Sequence, residues 1–263
     1  MAIEINEGEC LVEGKEGSGQ NYDHKLKQIN FCDRRVYQRS EDTYYPSVTT
    51  ILTAFPTDPF FFEWVKDTGH NSDIIKRKAA REGTMVHEAI EDLCKGKTIS
   101  WVDDYGNARY PLNVWQMILK FQDFYSTYKP EILYNEIFAY SDEYRFAGTV
   151  DCILKLDGQT WLIDWKSSNA VHPSYMCQLA AYRQALRECK GIEVDRAGIF
   201  WLKAATRKGS TKPGVYQGEG WQIKENTDLD GSWEAFKHVQ ALYNYLNPEI
   251  KPLNKTYPTE VKL

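Results

Sequence analysis

Two apolar runs, Phe146 to Leu156 and Gln159 to Ser167, are separated only by Asp157-Gly158. An Asp-Gly pair between such runs is the strongest short-range hairpin signal a sequence carries. With a two-residue turn, Leu156 faces Gln159, and equal steps back along both strands set Asp151 opposite Asp164. Trp161-Leu162-Ile163 and Trp165 make the second strand apolar on both faces, the pattern of a strand buried inside a sheet. Before the hairpin, Leu133–Tyr140 reads as a third strand, while 29–37 and 43–46 read as short strands around a polar turn. Arg196–Ala204 and Gly214–Ile223 read as a fourth and a fifth core strand.

Helical spacing alternates with these strands. Apolar or small residues recur at Ala79, Gly83, Val86, Ile90 and Leu93, which predicts a helix over 74–94 with a break near Glu82-Gly83 and Thr84 capping its second part. Ser47 is placed to cap a short helix that begins after Pro46. Trp115–Tyr128 is amphipathic and stopped by Pro130. Pro173 opens a helix that runs to Lys190 and closes at Gly191, and Gly231–Leu246 forms the last. No internal repeat or low-complexity linker interrupts the pattern. It predicts one α/β domain over 21–263, a mixed sheet between helices, preceded by a loose Gly- and Glu-rich arm over 1–20.

Composition narrows the class. The chain has 263 residues, 42% of them hydrophobic and 26% charged, which suits a soluble globular protein with a substantial core. No apolar run is long enough to span a bilayer, and Met1-Ala2-Ile3-Glu4 does not open a signal peptide. Cysteines 10, 32, 94, 152, 177 and 189 are scattered without C-x-x-C spacing, as expected of reduced thiols in a cytoplasmic protein. The net charge of −5 argues against a protein that coats nucleic acid non-specifically, but leaves room for an acidic, cation-holding centre. Basic residues gather at Lys76, Arg77, Lys78 and Arg81, and at Lys203, Arg207, Lys208 and Lys212; each group is equally readable as a solvated face.

The hairpin carries the chemistry. Two opposed carboxylates raise each other's pKa unless something positive lies between them, and a divalent cation removes the conflict. Lys166, two residues past Asp164, shares its strand face and sets an ammonium beside the pair. The bland alternative, a surface hairpin with ordinary charges, conflicts with the buried character of the second strand. His87 shares a helix face with Gly83, Ile90 and Cys94 and turns inward, although a lone histidine there is more often an ordinary core residue. His87-Glu88-Ala89-Ile90-Glu91 resembles the zinc-protease motif H-E-x-x-H but has Glu where the second histidine belongs. Gln178 and Tyr182 lie four apart on one helix face, as any helix edge also does. Tyr44, Tyr45, Phe60, Phe61, Phe62, Trp64 and Tyr105 adjoin polar or basic residues and are candidates for base stacking, although most aromatics serve cores.

Gly83-Thr-Met-Val-His87, Glu136, Gly148-x-x-Asp151, Asp164-Trp165-Lys166 and Gln178-x-x-x-Tyr182 together resemble the RecB-type exonuclease group of the PD-(D/E)XK nuclease superfamily. That group includes phage recombination exonucleases and the mitochondrial genome maintenance exonuclease. Pro46-Ser47-Val48-Thr49-Thr50-Ile51-Leu52 is similar to the amino-terminal segment of phage members, so the resemblance covers about 45–190, with core motifs over 83–190. It implies a restriction-endonuclease-like fold and a Mg²⁺- or Mn²⁺-dependent exodeoxyribonuclease of recombination, repair or replication. Asp151, Asp164, His87 and the Trp165 carbonyl would be metal ligands. Lys166 would orient the attacking water, and Glu136 would position a water or help hold a second cation. Gln178 and Tyr182 would support the site or contact DNA. The second acid is Asp where Glu is commoner, one methylene shorter. Only Cys189 follows the Gln-x-x-x-Tyr helix, so the iron–sulfur cluster of some relatives is not expected. The implied partners are DNA ends or single strands and a single-strand-binding or annealing protein, with no membrane. Two other readings stay open: a structure-selective endonuclease of the same superfamily, and a non-catalytic DNA-binding protein on a nuclease fold.

Overall fold

The computed structural model describes residues 3–5, 27–31, 34–203, 215–218, 220–250 and 255–257. A six-stranded mixed sheet forms its centre. The strands are β5 (Glu131–Ser141), β6 (Phe146–Leu156), β7 (Gln159–Lys166), β8 (Arg196–Trp201), β9 (Val215–Gly218) and β10 (Trp221–Glu225), in the spatial order β5-β6-β7-β8-β10-β9. β7 and β8 are parallel and the other neighbours antiparallel. A parallel pair needs a crossover, and α5 (Ser174–Lys190) provides it. A smaller antiparallel sheet joins β2 (Lys27–Phe31), β3 (Arg34–Ser40) and β4 (Thr43–Pro46). β1 (Ile3–Ile5) pairs with β11 (Lys255–Tyr257); the rest of the expected arm lies outside the described residues.

The Asp157-Gly158 hairpin forms as expected, with both turn residues at positive φ and pairs running from Leu156↔Gln159 to Cys152↔Ile163. Ser47 caps α1 (Val48–Ile51), its hydroxyl accepting from the Thr50 N–H. Gly191 closes α5 in the left-handed conformation, whereas Pro173 sits just outside the helix.

Two further expectations need correction. α3 (Asn71–Cys94) is one unbroken helix: Thr84 caps nothing and turns its hydroxyl back to the Ala80 carbonyl. Helix propensity tolerates Gly83, and packing decides the rest; a Cβ there would meet Ser167 Oγ at 3.1 Å. The stretch 214–223, expected as a fifth strand, is instead the hairpin β9–β10, with Gly218 opposite Trp221 and Gly220 at φ 84°. The aromatic run at 60–65 belongs to a helix, α2 (Pro59–Thr68), capped by Asp58.

Both faces of the sheet are covered. On one face α1, α5 and α6 (Leu229–Leu246) pack over Ile137, Ala139, Phe146, Val150 and Leu162. On the other, α3 and α4 (Leu112–Tyr128) pack over Cys152, Leu154, Ile163 and Trp165. Farther along that second face, Tyr37 and Tyr45 of the small sheet cover Ala147. Simple alternation would put Val150 and Cys152 in the same core; they lie in opposite ones. The alternation slips at Asp151 and at its neighbour across the ladder, Glu136, whose φ is 52° in the middle of β5. A strand residue in the left-handed region redirects the chain as a bulge does.

Gly148 is where α5 comes nearest to β6. A Cβ on it would lie 2.5 Å from Tyr182 Cε1, and that ring is buried on all sides. Gly148→Ala is expected to lower the unfolding free energy by about 1–3 kcal/mol, the cost of overpacking a close-packed site. Urea denaturation measures this, and a change under about 0.5 kcal/mol would mean that the ring moves aside freely.

Candidate metal and catalytic site

The site is built from the strand ladder outward. Pairs Asn135↔Cys152 and Ile137↔Val150 place Glu136 across from Asp151, and Asp151 and Asp164 lie one step beyond Cys152↔Ile163, the last pair of the β6–β7 ladder. Three carboxylates thus occupy neighbouring positions on three adjacent strands. Asp164 is 1% exposed and Asp151 8%.

Each acid has different company. Asp151 Oδ2 accepts the Trp165 N–H at 2.9 Å, which ties the first acid to the strand of the second. The same oxygen lies 3.5 Å from His87 Nδ1, so α3 delivers its histidine to the sheet as expected. Asp164 turns to α5: its Oδ1 accepts from Gln178 Nε2 at 2.7 Å, and Gln178 Nε2 also donates to the Tyr182 hydroxyl at 3.3 Å. Lys166 Nζ lies 2.5 Å from Asp164 Oδ2, without the alignment of a good hydrogen bond. The Tyr175 ring stands 4.8 Å from that ammonium.

The electrostatics follow from burial. Loss of water lifts the Asp164 carboxyl to about 6; Lys166 opposes the shift, and the like charge of Asp151 adds to it. Burial works against the Lys166 ammonium too, but Asp164 and Asp151 outweigh it and hold its pKa above the usual lysine value. Burial drives the Tyr182 hydroxyl well above the ordinary tyrosine range, so it remains a neutral hydrogen-bonding group.

Ligand atoms of His87, Glu136 and Asp151 all lie within 4.8 Å of one another. Asp164 is outside that group, its oxygens turned to Lys166 and Gln178. An imidazole, two carboxylates and a buried carboxylate oxygen without an aligned donor form a donor set that fits a hard divalent cation such as Mg²⁺ or Mn²⁺.

The other candidates are spread. Phe60, Phe62 and Tyr105 are exposed, Phe61 packs against Trp64, and Tyr45 is buried with its hydroxyl on Asp142. Lys76, Arg77, Lys78 and Arg81 line the exposed first half of α3, where Lys76 pairs with Asp73. Of the second basic group, Arg207, Lys208 and Lys212 lie outside the described residues, as do Cys10 and Cys32. Cys152 and Cys177 are buried core thiols. Sequence reasoning did not single out Tyr175, although its position three residues before Gln178 puts both on one helix face.

Residues 59–254 match the family model described as the PD-(D/E)XK nuclease superfamily, well over half of the chain. The chain belongs to the PD-(D/E)XK nuclease superfamily. Its mixed α/β sheet with helices on both faces is the fold of that superfamily, whose members are hydrolytic nucleases. Among solved structures, one from Eubacterium rectale described as a "putative exonuclease" aligns over 65% of this chain and 70% of its own, at 10% identity and a TM-score of 0.39. No curated protein matches the chain in sequence. Among the described residues, no helix is long and apolar enough to cross a membrane.

Glu136 combines an acid of the cluster with a backbone conformation that glycine tolerates far better. Glu136→Ala and Glu136→Gly both delete the carboxylate, but only glycine relieves the crowding of Cβ. The glycine variant is therefore expected to be more stable than the alanine variant by about 1 kcal/mol. Chemical denaturation of the pair decides, and equal stabilities would mean that the φ of 52° costs nothing at this position.

Proposed function

We propose that this protein is a Mg²⁺- or Mn²⁺-dependent deoxyribonuclease that degrades DNA from ends or as single strands, in phage-type recombination, repair or replication. The observation that carries the reading is the gathering of His87, Glu136 and Asp151 beside the Asp164–Lys166 pair. The exonuclease preference rests on the resemblance of the five motifs to the RecB-type group. The endonuclease alternative uses the same residues, since access to the site and not its chemistry separates the two.

In this reading His87, Asp151, Asp164 and the Trp165 carbonyl would hold the cation, with Glu136 helping to hold a second one or positioning a water. When bound, such a cation polarises a phosphate oxygen and lowers the pKa of coordinated water. The chain's own groups do the rest. The Trp165 N–H on Asp151 and the Gln178 amide on Asp164 keep the two acids from swinging away. Tyr182 supports Gln178 from beneath. The Lys166 ammonium orients the attacking water and balances the charge that develops on the phosphate.

Digestion of end-labelled linear DNA, single- and double-stranded, is expected with Mg²⁺ or Mn²⁺ and is lost with EDTA or in Asp151→Asn, while relaxed closed circles survive. Circles cut to linear product would establish the endonuclease alternative; no cleavage of any substrate would leave the non-catalytic DNA-binding reading.

Lys166→Ala is expected to keep metal and DNA binding but to lose roughly 10²–10⁴-fold in single-turnover rate at saturating Mg²⁺ and DNA. A variant retaining more than about a tenth of the wild-type rate would fall below that range and assign the lysine a purely structural part.

A further inference from the structure

The Lys166 ammonium has two neighbours of different kinds. On one side is the Asp164 carboxylate at 2.5 Å, and on the other is the Tyr175 ring, its centroid 4.8 Å away. The carboxylate is a shared resource. It also accepts from Gln178, and under the nuclease reading it would turn part of its charge to a cation. Whatever Asp164 gives to a cation it withdraws from Lys166. A lysine has a flexible four-carbon stem and, unlike arginine, no rigid fork to hold its direction. An ammonium partly released by its carboxylate therefore needs a second restraint that does not neutralise it and does not compete for the metal. The negative face of an aromatic ring supplies that restraint.

The ring is itself held. Tyr175 lies in the first turn of α5, where its N–H donates to the His172 carbonyl at 3.0 Å. The His172 ring meets it edge to face at 6.2 Å, and Phe55 in turn meets His172 at 5.5 Å. His172 Nδ1 is 2.7 Å from Ser174 Oγ, which fixes the imidazole plane. A row of three rings, two from separate loops and the third from the first turn of α5, thus ends on the lysine. Tyr175 is partly buried and packs against the core under α5, so the ring is held in place from behind.

We infer that Tyr175 is a positioning residue for Lys166: the face of its ring holds the ammonium toward the scissile phosphate when Asp164 is engaged elsewhere. This rests on the nuclease reading and adds a residue to it. It makes three demands. The effect must require the ring and not the hydroxyl, it must act through Lys166, and it must appear in the chemical step more than in binding.

The experiment compares Tyr175→Phe, Tyr175→Leu, Lys166→Ala and the Tyr175→Leu/Lys166→Ala double variant on end-labelled single-stranded DNA with Mg²⁺. A further full-length protein carries pentafluorophenylalanine at position 175, which keeps the shape of the ring but reverses the charge of its face. Tyr175→Leu is expected to lower kcat by about 5- to 30-fold, the range of a largely desolvated cation–aromatic contact, with KM changed less than about twofold. Tyr175→Phe should stay near wild type and the fluorinated ring should behave as leucine does; because it preserves packing, it keeps the test valid if the leucine variant folds poorly. In the double variant leucine should cost nothing beyond Lys166→Ala.

A second readout needs no activity. In metal-free protein labelled with ¹³Cε-lysine, the Lys166 resonance, assigned by its loss in Lys166→Ala, should lie upfield through the ring current and return to the ordinary position in Tyr175→Leu. Equal losses in Phe and Leu, additive losses in the double variant, or a fully active fluorinated protein would overturn the assignment. A wild-type protein that cuts no DNA with either metal would instead remove the nuclease reading on which it rests.

Discussion

A carboxylate almost wholly removed from water is costly, and much of this molecule is arranged around keeping one there. Asp164 lies in a strand covered on both faces, where an uncompensated negative charge would cost several kcal/mol. Compensation comes from two groups, Lys166 on the same strand and Gln178 on α5, while the like charge of Asp151 works against it. The raised pKa of Asp164 shows that the compensation is incomplete. An acid that the protein alone does not fully stabilise is one that a cation can stabilise further.

The sheet supplies the placement. A register set by one two-residue turn aligns Asp151 with Asp164, and the antiparallel partner adds Glu136 on the far side. The alternation of faces then slips by one residue at Glu136 and Asp151, where the covering layer changes from α3 and α4 to the small sheet with Tyr37 and Tyr45. Both the change of cover and the change of face fall at the acids. Glu136, with φ 52°, sits at this slip.

The superfamily is one of hydrolytic nucleases, and the elements around the acids differ in what they present to solvent. The long helix α3 has two halves with different duties. Its second half brings His87 to the acids, while its first half, with α2, carries exposed apolar and basic side chains away from the core. α5 presents Tyr175, Gln178 and Tyr182 at intervals of three and four residues, so one helix face serves the lysine, the second acid and the support beneath it.

Local rules determined the part of this protein that depends on local chemistry. Asp157-Gly158 admits one tight turn, and that turn sets the pairing of Asp151 with Asp164 before any tertiary contact is considered. Strand alternation put Lys166 beside Asp164, and helix periodicity turned His87 inward. Capping at Ser47 and Gly191 followed from side-chain oxygen and from the missing Cβ. The assignments that failed were those in which packing overrode a local cue or a short turn went unread. Glycine at position 83 suggested a break, but α3 runs on through it, and the glycine instead suits the close approach of Ser167, which a Cβ would meet at 3.1 Å. The 214–223 run looked continuous because hydrophobicity does not reveal a turn that Gly220 makes through its positive φ. Tertiary structure alone decided that Glu136 adopts a conformation glutamate disfavours, that Asp164 faces α5 while Asp151 faces His87, and that an aromatic ring from the next helix meets Lys166. Each of these joins residues far apart in the chain, and only the packing of separate elements sets their distance.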